Sequence, residues 1–445
     1  MIMASLLYSL LFLLGVSCVL GTSTFATSIK SPHDVHKRDP ISLKIELRRV
    51  DSDKNYTKME RIKRAVLRGK HRYQALTAFF SGVQTPVYSG GGEFLMNIAI
   101  GEPPNYYRAI LDTGSDLIWT QCQPCQQCFN QPTQIYNPQN SSTFSTLPCS
   151  SRHCENAWSS CDYSNYCDFN YGYGDRSSVR GYMATETFTF GSSDNSVSVP
   201  DVVFGCANDN QGTFAQFGDS GLVGFANSAL SLPYQLETGK FAYCLTSKES
   251  TSYSTLLMGS LTDQLPVAIA GTTPLISNPS RPLYYYLELQ GIDVGGSPLP
   301  ISSNAFAIKQ DGSGGMMIDS GTTYSQLPSS VMNVMTNALT QITNLALVDY
   351  SSYTGLPICM QLPSDGSSGV QLPDMVFHFE NSALYLSGEQ LWTYPASGVV
   401  CLAMTSVNGL GLSIFGNSQQ INMQVVYDLQ NQLLGFTPTD CDGYY

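Results

Sequence analysis

Histidine and basic residues are scarce beyond residue 80, and this scarcity limits the chemistry that the chain can perform. Only His153 and His378 occur there, together with eight of the 22 Lys and Arg residues. A serine nucleophile needs a neighbouring base, and a catalytic zinc needs about three protein ligands. The Gly-Asp-Ser-Gly sequence at 218–221 therefore does not indicate a serine protease. Metalloprotease chemistry has no ligand set either.

Motifs for nucleotides, nucleic acids and membrane anchoring are missing as well. The sequence has no phosphate loop, no dinucleotide fingerprint and no basic patch after residue 80. No stretch after residue 20 is apolar enough to span a bilayer, and the tail from Asp440 carries no anchor or retention signal. We therefore predict no cofactor, no metal, no nucleic-acid partner and no membrane anchor.

Two short stretches repeat one plan 207 positions apart. In each, an apolar run ends in an acid, Asp112 or Asp319, and small residues then turn the chain. An ionised acid at the end of a buried strand costs several kcal/mol unless it is paired or hydrogen-bonded. The two copies predict two related lobes whose acids meet. The residues expected to support the acids are Thr113, Gly114, Ser115, Ser320, Gly321 and Thr322.

Two adjacent carboxylates share a proton and titrate as a pair. One can then take a proton from a water molecule while the other protonates the carbonyl oxygen under attack, which hydrolyses an amide without a metal or covalent intermediate. The glycines allow close approach of the turns, and the four neighbouring hydroxyls can donate hydrogen bonds that hold the carboxylates. A single acid-plus-glycine turn would be weak support, but the repetition favours a catalytic pair.

The chain resembles the pepsin-like aspartic proteases, and most closely the nepenthesin-type enzymes of plants. The resemblance implies an all-β, bilobal fold, with an N-terminal lobe at 81–265 and a C-terminal lobe at 266–445. It also implies a disulfide-rich insert in the N-terminal lobe. The motifs that carry it are Asp112–Cys125, Tyr171–Asp175, Phe204–Cys206, Ile318–Thr323 and Ile414–Asn417.

The first 80 residues are typical of a secretion signal followed by a prosegment. Leu6–Leu20 is apolar but short, and small residues follow it to Ala26, which predicts a signal peptide at 1–26 and a secreted, extracellular product. No Lys or Arg precedes this run, so an uncleaved anchor is the alternative. Residues 27–80 carry a net charge of +8 and the rest of the chain −20.

Apolar residues recur at helical spacing within this basic segment, at Met59, Ile62, Val66, Tyr73, Leu76 and Phe80. A basic amphipathic helix by itself could bind a membrane or a nucleic acid. Between a signal and an acidic enzyme it is better interpreted as a prosegment at 27–80, removed near 79–82, that inhibits its own chain. We expect its basic side chains to cover an acidic cleft and to leave in acid.

Thirteen cysteines occur, and removal of Cys18 with the signal leaves twelve. Closely spaced cysteines in a cytosolic protein would suggest zinc or an iron–sulfur cluster, whereas disulfides are the default in an exported chain. Sequence alone does not determine the pairing. The resemblance implies Cys122–Cys125, Cys128–Cys206, Cys149–Cys167, Cys154–Cys161, Cys244–Cys441 and Cys359–Cys401. Sequons at Asn140 and, in the prosegment, Asn55 predict glycosylation.

Aromatic and β-branched residues from Tyr171 to Phe190 predict a hairpin with a glycine-rich tip. A plain structural hairpin is the simplest interpretation. The resemblance instead implies a flap over the substrate, with Tyr173 in contact with it and Trp119 as the hydrogen-bond partner of Tyr173. Arg176 stands where relatives usually carry glycine, so flap mobility and subsite preference do not transfer directly.

These features together predict a monomeric, secreted acid endopeptidase that is made as a zymogen and cleaves extended polypeptides. The alternative is a catalytically idle protein of the same fold that binds or inhibits microbial cell-wall hydrolases. Such proteins usually lose part of the acid pair. Both acid motifs are intact here, which favours the enzyme.

Overall fold

The computed structural model describes residues 41–50, 55–78, 94–155, 158–173, 177–191, 196–212, 220–265, 271–302, 304–363, 370–408 and 411–443, with only the backbone described at 70–78. The predicted signal, the expected processing region at 79–82 and Arg176 lie outside these residues. The predicted lobe boundary at 265 and 266 falls at the edge of another such gap.

The described chain is built mainly from 27 strands. The first fourteen are β1 Leu43–Arg49, β2 Phe94–Ile100, β3 Asn105–Asp112, β4 Trp119–Gln121, β5 Ser145–Thr146, β6 Ser159–Cys161, β7 Cys167–Gly172, β8 Ser178–Phe190, β9 Val197–Gln211, β10 Gly221–Gly224, β11 Lys240–Cys244, β12 Ser254–Met258, β13 Thr272–Pro274 and β14 Tyr286–Leu287. The others are β15 Leu289–Val294, β16 Ser297–Pro298, β17 Met316–Asp319, β18 Ser325–Pro328, β19 Cys359–Gln361, β20 Met375–Phe379, β21 Ser382–Leu386, β22 Trp392–Ala396, β23 Val399–Leu402, β24 Met404–Val407, β25 Ser413–Gly416, β26 Met423–Asp428 and β27 Leu433–Pro438.

Helices are few among the described residues. The α-helices are α1 Lys58–Ala78, α2 Leu232–Gln235, α3 Ser329–Thr343 and α4 Ser351–Thr354. Short 3-10 helices cover Pro138–Asn140, Arg152–Cys154, Gly259–Gln264, Gly388–Gln390 and Asn417–Gln419. None of the helices in the described part of the chain combines the length and apolar character needed to cross a membrane.

Two strand quartets with the same connectivity carry the two acid motifs. In the first, β10 lies between β3, to which it runs parallel, and β4, which is antiparallel to it, and β9 runs parallel to β4. In the second, β25 stands in the same relation to β17 and β18, and β24 runs parallel to β18. The repeat inferred from the two acid motifs is therefore a repeat of the fold around them.

One strand of the basic segment belongs to the largest sheet, which has 15 strands. Strand β1 lies between β12 and β2 and is antiparallel to both. Its side chains alternate, since Leu43, Ile45 and Leu47 are buried in the core while Lys44 and Glu46 are exposed. The helical spacing in the basic segment predicts a helix but gives no indication of this strand.

Helix α1 confirms the amphipathic helix predicted from the spacing of apolar residues. Its buried residues Ile62, Ala65 and Val66 pack in one cluster with Tyr324, Leu356, Val399, Cys401 and Ala403. Five basic side chains occur between residues 58 and 69, and of these only Arg68 is fully buried. The described part of the helix therefore contacts the rest of the chain mainly through apolar packing.

Candidate active site

Asp112 is the last residue of strand β3 and is completely buried. Its Oδ1 accepts a hydrogen bond of 2.9 Å from the backbone N–H of Gly114, and its Oδ2 accepts one of 2.5 Å from the Ser115 hydroxyl. Hydrogen bonds of this kind offset the cost of burying a carboxylate and fix its plane.

Asp319 has the same surroundings at the end of strand β17. It is completely buried, its Oδ1 accepts from the Gly321 N–H at 2.9 Å, and its Oδ2 accepts from the Thr322 hydroxyl at 2.6 Å. The two acids therefore have matching sets of donors, one from the backbone two residues on and one from a hydroxyl three residues on.

Thr113 and Ser320 join the turns that follow Asp112 and Asp319. The Thr113 N–H donates to the Ser320 hydroxyl at 3.2 Å, and the Ser320 N–H donates to the Thr113 hydroxyl at 2.9 Å. The Ser320 hydroxyl also donates to the Leu111 carbonyl at 3.3 Å. We expected all four hydroxyls to hold the carboxylates. Ser115 and Thr322 do so, but Thr113 and Ser320 bridge the turns because each hydroxyl faces the opposite backbone.

Glycine is required where the neighbouring strands approach the turns. Gly224 is the register partner of Asp112, and Gly416 is that of Asp319. A Cβ atom at Gly224 would lie 2.3 Å from the backbone carbon of Asp116, and one at Gly416 would lie 2.7 Å from that of Tyr324. These separations are well below van der Waals contact, so a side chain at either position would push the turns apart.

Two buried tyrosines lie beside the second acid. The hydroxyls of Tyr243 and Tyr427 are 3.1 Å apart, and that of Tyr243 donates to Gln420 at 2.5 Å. Burial raises the pKa of both tyrosines, and the charge of Asp319 raises it further. They therefore remain neutral hydroxyls that pack and hydrogen-bond near the acid pair.

The predicted hairpin is formed by β7 and β8, which are antiparallel. At its tip the Tyr173 N–H donates to the Ser177 carbonyl at 2.8 Å. The indole N–H of Trp119 donates to the Tyr173 hydroxyl at 2.6 Å, which is the hydrogen bond predicted for this pair. Tyr173 is thus held on the side of the hairpin that faces the strand following Asp112.

The contacts of four polar residues around the site were missed by reasoning from the sequence. Asp116, Tyr171 and Ser228 form a hydrogen-bonded set beside the first turn. Asn417 donates from its side chain to the Ser320 carbonyl at 2.9 Å. Asn417 ends one of the motifs that carry the resemblance, but no spacing rule indicates which backbone group its amide meets.

Four of the six expected disulfides are wrong, namely Cys122–Cys125, Cys128–Cys206, Cys149–Cys167 and Cys154–Cys161. The structure has Cys122–Cys206, Cys125–Cys128, Cys149–Cys161 and Cys154–Cys167 instead. Cys244–Cys441 and Cys359–Cys401 are present as expected.

The corrected pairs follow from the strands rather than from sequence spacing. Strand β4 runs parallel to β9, which brings Cys122 to a Cα–Cα distance of 5.3 Å from Cys206. In the insert, the sulfur atoms of Cys149, Cys154 and Cys161 all lie within 4.8 Å of one another. Spacing cannot choose among partners that are this close, and only the local chain path decides.

Helix α1 lies beside the turn that follows Asp319. A Cβ atom at Gly69 would be 2.8 Å from the side-chain nitrogen of Gln326 and 3.7 Å from the methyl carbon of Thr322, whose hydroxyl binds Asp319. The helix therefore approaches this turn through a residue without a side chain.

Two family models match the chain. The model described as the N-terminal part of xylanase inhibitor matches residues 94–260, and its C-terminal counterpart matches residues 284–438. Among solved structures, that of edgp superposes with a TM-score of 0.67 at 18% identity, covering 90% of this chain and 95% of the other. Basic 7S globulin from soybean gives 0.63 at 18% identity, with 80% and 96% covered. These matches fit a bilobal pepsin-like fold.

Curated relatives match the chain over nearly its whole length. Aspartic proteinase nepenthesin-2 of Nepenthes gracilis is 50% identical over 443 residues, which cover 99% of both chains. Aspartic proteinase nepenthesin-1 of the same plant is 46% identical with the same coverage. With its two matching aspartate sites, the chain therefore belongs to the nepenthesin-type plant aspartic proteases of the pepsin-like family and is an aspartic-type endopeptidase.

Proposed function

We propose that Asp112 and Asp319 hydrolyse peptide bonds by sharing one proton around a water molecule. The observation that carries this proposal is the matching set of donors on the two buried carboxylates, together with the reciprocal hydrogen bonds between Thr113 and Ser320. This arrangement leaves each acid an equivalent member of one pair.

In the proposed reaction, the ionised aspartate takes a proton from water as the water oxygen attacks the carbonyl carbon. The protonated aspartate gives its proton to the carbonyl oxygen, which produces a neutral tetrahedral diol. The proton taken from water then passes to the amide nitrogen as the carbon–nitrogen bond breaks, while the other aspartate takes a proton from one hydroxyl of the diol. The products are a carboxylic acid and an amine, and the pair is left with one shared proton as before.

The protein is further proposed to be a secreted zymogen whose prosegment covers its own active site. The packing of Gly69 against Gln326 and Thr322 supports this, because helix α1 then lies next to the turn that follows Asp319. The ion pair between Lys58 and Glu249, at 3.0 Å, is one contact between this helix and the acidic part of the chain. Tyr173 would close over an extended polypeptide in the mature enzyme. Digestion of external protein is the proposed role.

The alternative, an idle inhibitor of cell-wall hydrolases, takes its support from the name of the matching family models. It is not favoured, because both acids keep their full donor sets and the curated relatives that match over the whole length are proteinases.

Cleavage of denatured globin by the acid-treated protein at pH 3 and pH 7 tests the proposal, with Asp319→Asn as the matched variant. We expect cleavage in acid only, and a loss of at least about a thousandfold in the variant. A folded wild type that is inert at both pH values would redirect the search to hydrolase partners. Full activity in Asp319→Asn would exclude the proposed pair.

A further inference from the structure

Asp116 is a second buried acid near the catalytic turn, and the proposed reaction does not use it. Only 6% of its surface is exposed. Its Oδ1 accepts from the Tyr171 hydroxyl at 2.9 Å, and its Oδ2 accepts from the Ser228 hydroxyl at 2.7 Å. One carboxylate thus ties together the chain after Asp112, strand β7 of the flap hairpin and the loop after β10.

Tyr171 is the penultimate residue of β7 and contacts Tyr173 at the tip of the hairpin. Its ring centroid is 5.0 Å from that of Tyr173, whose hydroxyl accepts from Trp119. Tyr173 is therefore held on one side by the Trp119 hydrogen bond and on the other by the Tyr171 ring. Asp116 fixes the far end of that ring through its hydroxyl.

The cysteine-rich insert reaches the same tyrosine. The ring of Trp158 packs edge-on against Tyr171 at a centroid distance of 5.0 Å. The Trp158 carbonyl accepts from the Asn170 N–H at 2.9 Å, so the insert also pairs with the flap strand. Disulfides Cys149–Cys161 and Cys154–Cys167 brace this segment from both sides.

Burying an acidic side chain at this position costs free energy. Burial raises the pKa of Asp116, although the hydrogen bonds from Ser228 and Tyr171 act in the opposite direction. Apolar residues of similar volume would pack at least as stably. A carboxylate instead fixes geometry, because each of its two oxygens holds a hydroxyl from a different segment at a defined distance and angle.

We propose that Asp116 is a positioning residue that sets the resting place of the flap tyrosine, Tyr173, through Tyr171 and Ser228. In this arrangement the insert, through Trp158, is the outer support of the same tyrosine ring. The inference rests on the proposed function, since it assigns Asp116 to the substrate-binding flap of that same site.

The test measures kcat and KM of the acid-activated enzyme for a quenched fluorescent peptide. In Tyr171→Phe and in Ser228→Ala we expect KM to rise about fivefold, the effect of one lost hydrogen bond, with a smaller change in kcat. Because both hydroxyls act through Asp116, the double variant should be less impaired than the product of the two effects. Asp116→Asn, which keeps the shape and one acceptor, should be milder than Asp116→Ala.

Tyr182→Phe is the matched control, because Tyr182 lies on β8 of the same hairpin but pairs with Asp168 and Cys206. It should leave KM unchanged. A second measurement is the affinity for a peptide in which a non-cleavable, hydroxyl-bearing linkage replaces the scissile amide. This affinity should fall in parallel with 1/KM. Thermal unfolding of each variant shows whether the fold is retained.

The outcomes separate the inference from the proposed function. If Asp319→Asn is inactive while Tyr171→Phe and Ser228→Ala keep the wild-type KM and lose only thermal stability, Asp116 is a structural residue and the inference is wrong. If Asp319→Asn is active, the proposed acid pair itself fails. If Tyr171→Phe does not fold, Ser228→Ala alone decides the test, because Ser228 is half-buried and loss of its hydroxyl disturbs little packing.

Discussion

Ser320 shows how much of the site depends on a single hydroxyl between the two acids. Its oxygen accepts from the Thr113 N–H and donates to the Leu111 carbonyl, so it connects the two turns in both directions. A buried N–H left without its acceptor costs about 1–3 kcal/mol. The relative position of the two carboxylates therefore rests on residues that never need to touch substrate.

We expect Ser320→Ala to lower the free energy of unfolding by about 1–3 kcal/mol and to lower kcat more than it raises KM, because it loosens the acid pair. Urea unfolding and peptide kinetics measure the two effects. Ser320→Thr retains the hydroxyl and should restore most of both. A Ser320→Ala enzyme with wild-type kcat would show that the bridge does not govern the chemistry.

The residues that sequence reasoning found and those it missed differ in kind. Asp112 and Asp319 were found because an acid after an apolar strand is locally anomalous. Asp116, just after the turn at Gly114, carries no such anomaly. Its structural role depends on Tyr171 and Ser228, which lie 55 and 112 positions away in the sequence.

Helix α1 contains a glycine, Gly69, at its contact with the turn that follows Asp319. Glycine in a helix interior costs about 1 kcal/mol relative to alanine, so Gly69 weakens the helix that contains it. The 2.8 Å between a Cβ atom at this position and the side-chain nitrogen of Gln326 supplies a reason for that cost, because a larger residue would displace either this side chain or the helix.

We expect Gly69→Leu to weaken docking of the proposed prosegment by about 1–3 kcal/mol, the usual penalty of overpacking, although it strengthens the isolated helix. If the chain is a zymogen as proposed, it should then convert several-fold faster at a fixed mildly acidic pH, as followed by gel electrophoresis. Leu67→Ala is the control, since Leu67 is an exposed residue of the same helix. Equal conversion rates for all three proteins would contradict this role of Gly69.

Periodicity predicted some elements and overlooked others. The helical spacing at 59–80 and the aromatic alternation from Tyr171 both correspond to observed elements, because each pattern places its apolar face on one side. Strand β1 was overlooked, although its residues alternate. Seven residues, four of them charged, give a weak signal, and the strand is held by β2 and β12, which lie far away in sequence.

At the scale of the whole molecule, the basic segment and the rest of the chain meet around Lys248. Its ammonium donates to the Glu389 carbonyl at 2.6 Å, and Arg49 of strand β1 lies in the same region, with its guanidinium on the Thr246 carbonyl at 3.2 Å. Burial, followed by the charge of Arg49, lowers the pKa of Lys248 from 10.5 to about 7.

The sign of this shift gives a pH dependence. A base whose pKa is lowered by folding binds its proton more readily in the unfolded chain. It therefore lowers the free energy of unfolding, increasingly as pH falls from 10.5 to 7 and by a constant amount below 7. We expect the free energy of unfolding of the full-length protein, relative to Lys248→Met, to rise between pH 7 and pH 10 by at most about 1.4 kcal/mol per unit.

Guanidinium unfolding at several pH values measures this difference, which should not change between pH 7 and pH 5. A difference that instead grows in acid would mean that Lys248 titrates below 7. If the plateau is found, Lys248 does not trigger the proposed activation in acid.

The sequence by itself determined the two acid motifs, the hairpin that begins at Tyr171, the resemblance to the family and the amphipathic helix. Each of these depends on contacts within a few residues or on a repeated motif. Only the tertiary structure decided the disulfide pairing, the bridge between Thr113 and Ser320, the Asp116 contacts and the place of β1 in the main sheet. These features depend on which strands, distant in the sequence, become neighbours in the fold. Many strand pairings are compatible with the same local sequence pattern until the core is packed.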